Sequence, residues 1–382
     1  MTVRPLGPDD IEQVWRLNQL AFGYRTEAPP DDIGVSYGVA APDGRVLASA
    51  RIRSYEQWWG GRGVPMGGIA GVAVHPDARG HGTASALMRA LLPVMRSAGQ
   101  PVSVLFPTGV GVYRPVGWEV VGSLDDTRIP TRDLSPSRAT DEVTVRTAGA
   151  ADIAAIRDLY VGLGINGLLT REGPEFPAGA EAVLEHDVVA LAEDASGTAV
   201  GYASYARGQG YREGSELRIW EFVHRTGPAA TALLRSLASW STVASTVLWR
   251  GPTTELARHL PGPVPAPTGC QPWMLRIVDA PAAIARRGYA DEVTADVAFV
   301  LDDPDIAEHA GGWRLRVADG TGVLEPAQAV AGLPRLHVRG LALLYAGVAD
   351  VRALQSAGLL DRPVPGLAAA FAGQQPRILD YF

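Results

Sequence analysis

The stretch Gly71-Val-Ala-Val-His-Pro-Asp-Ala-Arg-Gly-His-Gly-Thr-Ala84 carries the residues of this chain best suited to chemistry. It reads as a short apolar strand, a turn built from Pro76, Arg79, Gly80 and Gly82, and an apolar-rich helix that runs into Ser85-Ala-Leu-Met-Arg-Ala-Leu-Leu92. A helix that opens on small residues leaves its first backbone N–H groups unpaired, with the positive end of the helix dipole behind them. Such an end is an anion cradle. Glycines at 80 and 82 let the backbone curl close to a ligand and Arg79 adds a mobile positive charge, so a phosphate or pyrophosphate is the favoured guest. His81 lies inside the turn, either touching that phosphate or facing solvent. Gly82 is followed by Thr83-Ala84 rather than Lys-Ser/Thr, which excludes a P-loop, and Ser85 stands where a dinucleotide fingerprint needs its third glycine.

Downstream, Gln100-Pro-Val-Ser-Val-Leu-Phe106 is an apolar run suited to a buried strand. It leads into Pro107-Thr-Gly-Val-Gly-Val-Tyr-Arg-Pro-Val-Gly-Trp118. Arg79-Gly-His-Gly-Thr-Ala84, taken with Tyr113 ahead of Gly117-Trp118, resembles the GNAT N-acetyltransferases, whose R-x-x-G-x-G/A loop holds the pyrophosphate of acetyl-coenzyme A. The resemblance implies that Val72, Ala73, Val74, Arg79, Gly80, His81, Gly82, Thr83 and Ala84 bind acetyl-coenzyme A. It also makes Tyr113 the candidate acid: a phenol of reference pKa about 10 can donate to a leaving thiolate at modest cost. Packing in a Gly/Pro-rich turn is the alternative for Tyr113.

The elements that must position these residues repeat. Thr2-Val-Arg-Pro-Leu-Gly-Pro-Asp-Asp-Ile11 reads as strand, turn and helix start, and Thr144-Val-Arg-Thr-Ala-Gly-Ala-Ala-Asp-Ile153 repeats its Val, Arg, Gly, Asp and Ile at an offset of 142. Asp43-Gly-Arg-Val-Leu-Ala-Ser-Ala50 is echoed by Ser196-Gly-Thr-Ala-Val-Gly-Tyr-Ala203. Residues 1–138 and 143–278 therefore read as two versions of one fold, with Pro130, Asp133, Ser135, Pro136 and Ser137 as a polar linker. The second copy offers Val223-His-Arg-Thr-Gly-Pro-Ala-Ala230 in place of the phosphate loop, with Pro228 lacking a donor N–H, so it is expected to bind no cofactor. It acts as scaffold, unless Trp220, Glu221 and His224 line a shared groove. Pro93 should kink or shorten the helix that follows the loop.

From about 288 onward the pattern changes to alternating strands, Asp296–Leu301 and Trp313–Val317, and an apolar helical stretch at Leu367–Phe371. This layout is similar to the sterol-carrier-like module closing the Eis-type (enhanced intracellular survival) branch of the family. The fold class expected is α/β (α+β): tandem GNAT folds, each a mixed, mostly antiparallel sheet with flanking helices, then a sterol-carrier-protein-like domain over 288–382. In that branch the C-terminal carboxylate is the general base, a role that falls on Phe382. A free carboxylate has a reference pKa near 3.5 and would need desolvation or a relaying water to act so. An ordered water or a carboxylate such as Asp380 is the next suspect. The branch also implies a homohexamer.

The chain of 382 residues exceeds one core, and its net charge of −7 argues against nucleic-acid or anionic-membrane binding while suiting a cationic substrate. A lone cysteine, Cys270, excludes a disulfide framework and a zinc-ligand spacing, and no metal site is expected. No apolar run suggests a membrane span or leader, so a cytoplasmic location is expected. Trp15, Phe22, Tyr24, Glu27, Asp31 and Asp32 lie where GNAT domains build the acceptor site, and Trp58 and Trp59 at a Gly60-Gly61 hairpin tip either wall that pocket or simply pack. Two functions stay open. One is acetyl-coenzyme A-dependent acetylation of a primary amine, which by resemblance is an aminoglycoside, another polyamine or a lysine ε-amine; the other is a non-catalytic acyl-coenzyme A-sensing or lipid-binding protein.

Overall fold

A computed structural model describes residues 2–23, 25–136 and 142–382. Its first part runs β1 (Thr2–Leu6), α1 (Ile11–Phe22), β2 (Ser36–Ala40), β3 (Val46–Trp59), β4 (Arg62–Val74), α2 (Thr83–Ser97), β5 (Val102–Leu105), α3 (Val110–Tyr113) and β6 (Glu119–Pro130). The second runs β7 (Val143–Thr147), α4 (Ile153–Val161), β8 (Val188–Asp194), β9 (Ala199–Arg207), β10 (Arg212–His224), α5 (Gly227–Ala238), β11 (Ala244–Arg250), α6 (Thr253–Leu256) and β12 (Gly269–Ile277). The third holds α7 (Ala280–Arg286), β13 (Ala295–Asp302), β14 (Gly311–Ala318), β15 (Thr321–Pro326), β16 (Arg335–His337), α8 (Val338–Tyr345) and α9 (Val351–Ser356).

The repeat read at an offset of 142 has a local cause. Arg4 forks onto Asp10 at 2.8 and 2.7 Å while Asp10 accepts the Gly7 N–H at 3.0 Å. Arg146 forks onto Asp152 at 2.8 and 2.7 Å while Asp152 accepts the Gly149 N–H at 2.9 Å. In both copies the Arg, Gly and Asp close the same strand-to-helix turn. The mixed sheet is also as expected: β4–β5 and β10–β11 are parallel and their other neighbours antiparallel. What the repeat did not reveal is an exchange. The strand order β1-β2-β3-β4-β5-β12-β6-β11-β10-β9-β8-β7 places the last strand of each copy inside the other's half, so the two copies form one continuous sheet.

Side-chain alternation gives this sheet two dressed faces. Ile52, Ile69 and Leu105 pack with Leu87, Met88 and Leu91 of α2 on one face. Tyr55, Met66, Val102 and Val104 point the other way, into a core shared with the third part, where Phe299, Leu336, Leu341 and Tyr345 lie. A buried trio clamps that junction: Arg276 on β12 forks onto Asp303 at 2.8 and 2.9 Å, and His309 meets the same carboxylate at 2.8 Å.

Two expectations are corrected. α2 is not cut short at Pro93 but runs on to Ser97, since Leu91, Leu92 and Met95 are buried while Pro93 faces solvent, where the freed Arg89 carbonyl can be hydrated. Leu367–Phe371 is not a helix but a turn ending in a 3-10 segment at Ala369–Phe371, entered through Pro365 and Gly366. Ser137 lies outside the described residues.

Candidate active site

β4 and β5 pair in parallel only from Met66↔Val102 to Ile69↔Leu105. β5 then ends while β4 continues to Val74, bulged at Gly71, whose φ is 60°. Beyond Ile69 the β5-facing edge of β4, including Val72, Ala73 and Val74, is left without a strand partner, and the sheet opens into a gap. The cradle lies just past the end of β4. Pro76–Ala78 form a 3-10 turn, Arg79 donates from Nε to the Val74 carbonyl at 3.1 Å, and the Thr83 hydroxyl donates to the Ala78 carbonyl at 2.8 Å.

Gly80 and Gly82 take φ values of 77° and 74°, which explains their identity, because a Cβ at either would meet nothing within 4 Å. Gly82 is the N-cap of α2 and has no side chain to cap it, so the positive end of the helix faces the loop where an anion would lie. The corresponding helix of the second copy is closed. Thr226 caps α5 by accepting the Ala229 N–H at 3.2 Å, with Pro228 in the first turn. His81 is exposed in the loop. The gap, the uncapped helix end and Arg79 together fit the thioester arm and pyrophosphate of acetyl-coenzyme A.

Tyr113 closes α3 and is buried among Leu87, Leu91, Val116 and Trp118, beside the helix that carries the cradle. Burial pushes its phenol up to about 12. On the opposite side of the sheet the chain end fills the approach to the gap. The ring of Phe382 lies 4.8 Å from Tyr55 and 5.5 Å from Phe106, and that of Tyr381 lies tilted 4.6 Å from Phe106. Gly68 makes room for it: a Cβ there would stand 2.7 Å from the Tyr55 ring and 2.9 Å from that of Phe382. Residues 379–382 line a cleft of about 530 Å³ with Arg53, Tyr55, Arg171, Glu175, Phe176, His186, Trp220, Glu221 and Arg250. Its side-chain carboxylates, Glu175, Glu221 and Asp380, match its guanidiniums in number.

The second copy thus supplies half of this cleft, and the scaffold-only reading gives way. Trp220 and Glu221 line it as the groove alternative held, whereas His224 turns toward Glu255 and His259. The acceptor residues expected from the first copy are not brought there. Trp15 donates its indole N–H to Thr26 at 2.7 Å, Phe22 is 38% exposed, and Glu27, Asp31 and Asp32 are exposed on the following loop. Tyr24 lies outside the described residues. Trp59 is corrected from pocket wall to core: it is fully buried between Trp273 and Tyr345 and donates to Gln57 at 3.0 Å. Trp58 packs against Tyr160, Leu168 and Leu379. Sequence reasoning missed Tyr55, Phe106, Arg171, Glu175 and Phe176; only Gly67-Gly68 inside a strand signalled a close approach. Among the described residues no group of three or more His, Cys, Asp or Glu is placed to hold a metal, and no helix is long and apolar enough to cross a membrane.

This fold and gap are those of an acyltransferase that draws on coenzyme A. The acetyltransferase (GNAT) domain family matches residues 2–121 and 167–277, and the sterol carrier protein domain family residues 280–379. The crystal structure of a GCN5-related N-acetyltransferase from Kribbella flavida is 34% identical, covers 100% of this chain and 98% of its own, and superposes with a TM-score of 0.84. The chain belongs to the GCN5-related N-acetyltransferase (GNAT) family. Within it the chain is Eis-like: it is 26% identical to N-acetyltransferase Eis of Mycobacterium tuberculosis over 93% of this chain and 90% of that one. An uncharacterised N-acetyltransferase of Streptomyces avermitilis is 27% identical over 80% and 78% of the two chains. The protein is an acetyltransferase that uses acetyl-coenzyme A.

Proposed function

We propose that the protein acetylates a primary amine of a cationic acceptor, an aminoglycoside, another polyamine or a lysine side chain, that enters through the cleft at Phe382. The observation that carries this reading is the packing of the chain end on Tyr55, Gly68 and Phe106, next to the point where β4 and β5 part. A cleft of about 530 Å³ suits a small molecule or one extended side chain. Glu175 offers it negative charge, and the faces of Tyr55, Phe176 and Trp220 suit an ammonium group.

Bound acetyl-coenzyme A supplies the thioester carbon that the amine attacks. Arg79 and the first-turn N–H groups of α2 hold its pyrophosphate. The Phe382 carboxylate takes the amine's proton, directly or through a water. The Tyr113 hydroxyl donates toward the sulfur on which charge gathers. The same reading takes the protein as cytoplasmic and as a homohexamer; light scattering showing a stable monomer at micromolar concentration would remove the assembly.

Thiol release from acetyl-coenzyme A, measured across aminoglycosides, diamines and lysine peptides, is expected to be fastest with multiply cationic amines. Turnover confined to neutral or anionic amines would overturn the acceptor assignment. For the cradle, Arg79→Ala removes a charge-assisted hydrogen bond of about 1.5–3 kcal/mol, so acetyl-coenzyme A affinity should fall roughly tenfold to a hundredfold. Gly82→Asp should cost more, since it strains a φ of 74° and sets a carboxylate against the pyrophosphate. Calorimetric titration reads both, and unchanged affinity in the pair would move the cofactor elsewhere.

A further inference from the structure

Residues 166–170 cross from the second copy to the free margin of β3. The Trp58 N–H donates to the Leu168 carbonyl at 2.8 Å, the Trp58 carbonyl accepts the Gly167 N–H at 2.8 Å, and the Thr170 N–H donates to the Glu56 carbonyl at 2.9 Å. Arg171 follows with φ of 59°, a left-handed conformation that costs a side-chain-bearing residue about 1–3 kcal/mol and persists only where its surroundings fix it. They do so here. Its guanidinium lies 4.5 Å over the Tyr160 ring, whose hydroxyl is itself tied to the Leu169 carbonyl at 2.9 Å. Nη1 donates to the buried Glu221 at 2.7 Å, and Tyr202 donates to the other oxygen of that carboxylate. The remaining nitrogens grip Asp380: Nη2 at 3.0 Å, and Nε at 3.2 and 3.3 Å from its two oxygens.

Asp380 stands two residues before the chain terminus, in a tail without regular secondary structure beyond Phe371. Upstream, Ile378 and Leu379 are buried and the Arg377 N–H donates to Asn166 at 2.7 Å. Downstream, Tyr381 and Phe382 rest on apolar contacts with Phe106, Tyr55 and Gly68, which seat the rings but do not orient the main-chain carboxylate. A forked ion pair fixes direction as well as distance. A displacement near 1 Å can cost about a hundredfold in rate, so the last fixed point before the terminus decides where its charge lies.

We propose that Arg171 is the positioning residue for the terminal carboxylate, and that gripping the tail through Asp380 is a task the second, cofactor-free copy performs for the first. This rests on the reading in which the Phe382 carboxylate is the proton acceptor. The surroundings of Arg171 explain why a guanidinium is needed: one planar fork meets Glu221 and Asp380 at once, which a lysine ammonium cannot do with the same geometry.

The test is a cycle made from Arg171→Gln and a single glycine added after Phe382, assayed by thiol release, with Asp380→Asn as a second route to breaking the grip and melting temperatures recorded throughout. Arg171→Gln and Asp380→Asn are each expected to lower kcat about tenfold to a hundredfold with the KM for acetyl-coenzyme A unchanged. Arg171→Lys should recover part of the loss. In the glycine-extended chain Arg171→Gln should cost nothing further, because the group it positions is already misplaced. Equal losses with and without the extension would mean that Arg171 acts on the fold or the acceptor, and overturn the proposal. So would Asp380→Asn at the parent kcat. A glycine-extended chain at full rate overturns the carboxylate reading itself, whereas a crippled extended chain beside an unimpaired Arg171→Gln overturns the positioning role alone.

Discussion

A chain that carries a tag after Phe382 is expected to lose acetyl transfer almost entirely, by about 10² to 10⁴ in kcat, the range for removal of a positioned base. Each added residue carries the terminal charge up to about 3.6 Å onward and turns the Phe382 carboxylate into a peptide carbonyl, which cannot take a proton from an amine. The cleft has no slack for adjustment at the ring, since Gly68 already yields its Cβ to the Phe382 and Tyr55 rings. Phe382→Leu keeps both carboxylate and apolar anchor and should be milder. The comparison is between C-terminally and N-terminally tagged chains in the same thiol-release assay. Full activity in the C-terminal form would shift the role of base to another carboxylate of the cleft, Glu175, since Asp380 and Glu221 are both engaged by Arg171.

The parts of this molecule that were legible in its sequence are those written within a few neighbouring residues. The cradle could be read because Arg79, Gly80 and Gly82 encode a turn and a helix start by backbone conformation alone, and the structure shows left-handed φ at both glycines. The duplication could be read because Arg4–Asp10 and Arg146–Asp152 are local ion pairs preserved with their turns. The strand exchange between β6 and β12 was hidden, because an apolar strand carries no mark of which partner it will pair with. Trp58 and Trp59 were ambiguous for a related reason: a hairpin tip is exposed in isolation, and Trp273 of β12 together with Tyr345 of the third part buries Trp59. The cleft at Phe382 was out of reach for the strongest reason. Its walls come from residues 53, 171, 220 and 382, whose convergence is a property of the whole fold and leaves no spacing to read.

Tyr113→Phe is expected to lower turnover about 10² to 10³, the cost of removing one donor aimed at developing charge. A phenol held near pH 12 by burial is a weaker acid than one at 10, so complete proton transfer to a thiolate of reference pKa about 8.5 would run uphill by roughly 5 kcal/mol. A hydrogen bond that shortens as charge gathers on sulfur carries no such penalty. This sets the expected loss toward the lower part of the range for acid catalysis. It also fixes the pH behaviour: the folded pKa is raised, so the hydroxyl stays protonated throughout the assay range and Tyr113 should impose no alkaline limb on kcat below about pH 11. The substitution is clean in structural terms, because no hydrogen bond ties the Tyr113 hydroxyl to another described residue, and its ring packs among Leu87, Leu91, Val116 and Trp118 in either form. The melting temperature should therefore hold, since the ring keeps its packing. Affinity for acetyl-coenzyme A should also hold. Near-normal turnover in a folded Tyr113→Phe enzyme would leave Tyr113 a packing residue of α3 and the thiolate to be stabilised by another group.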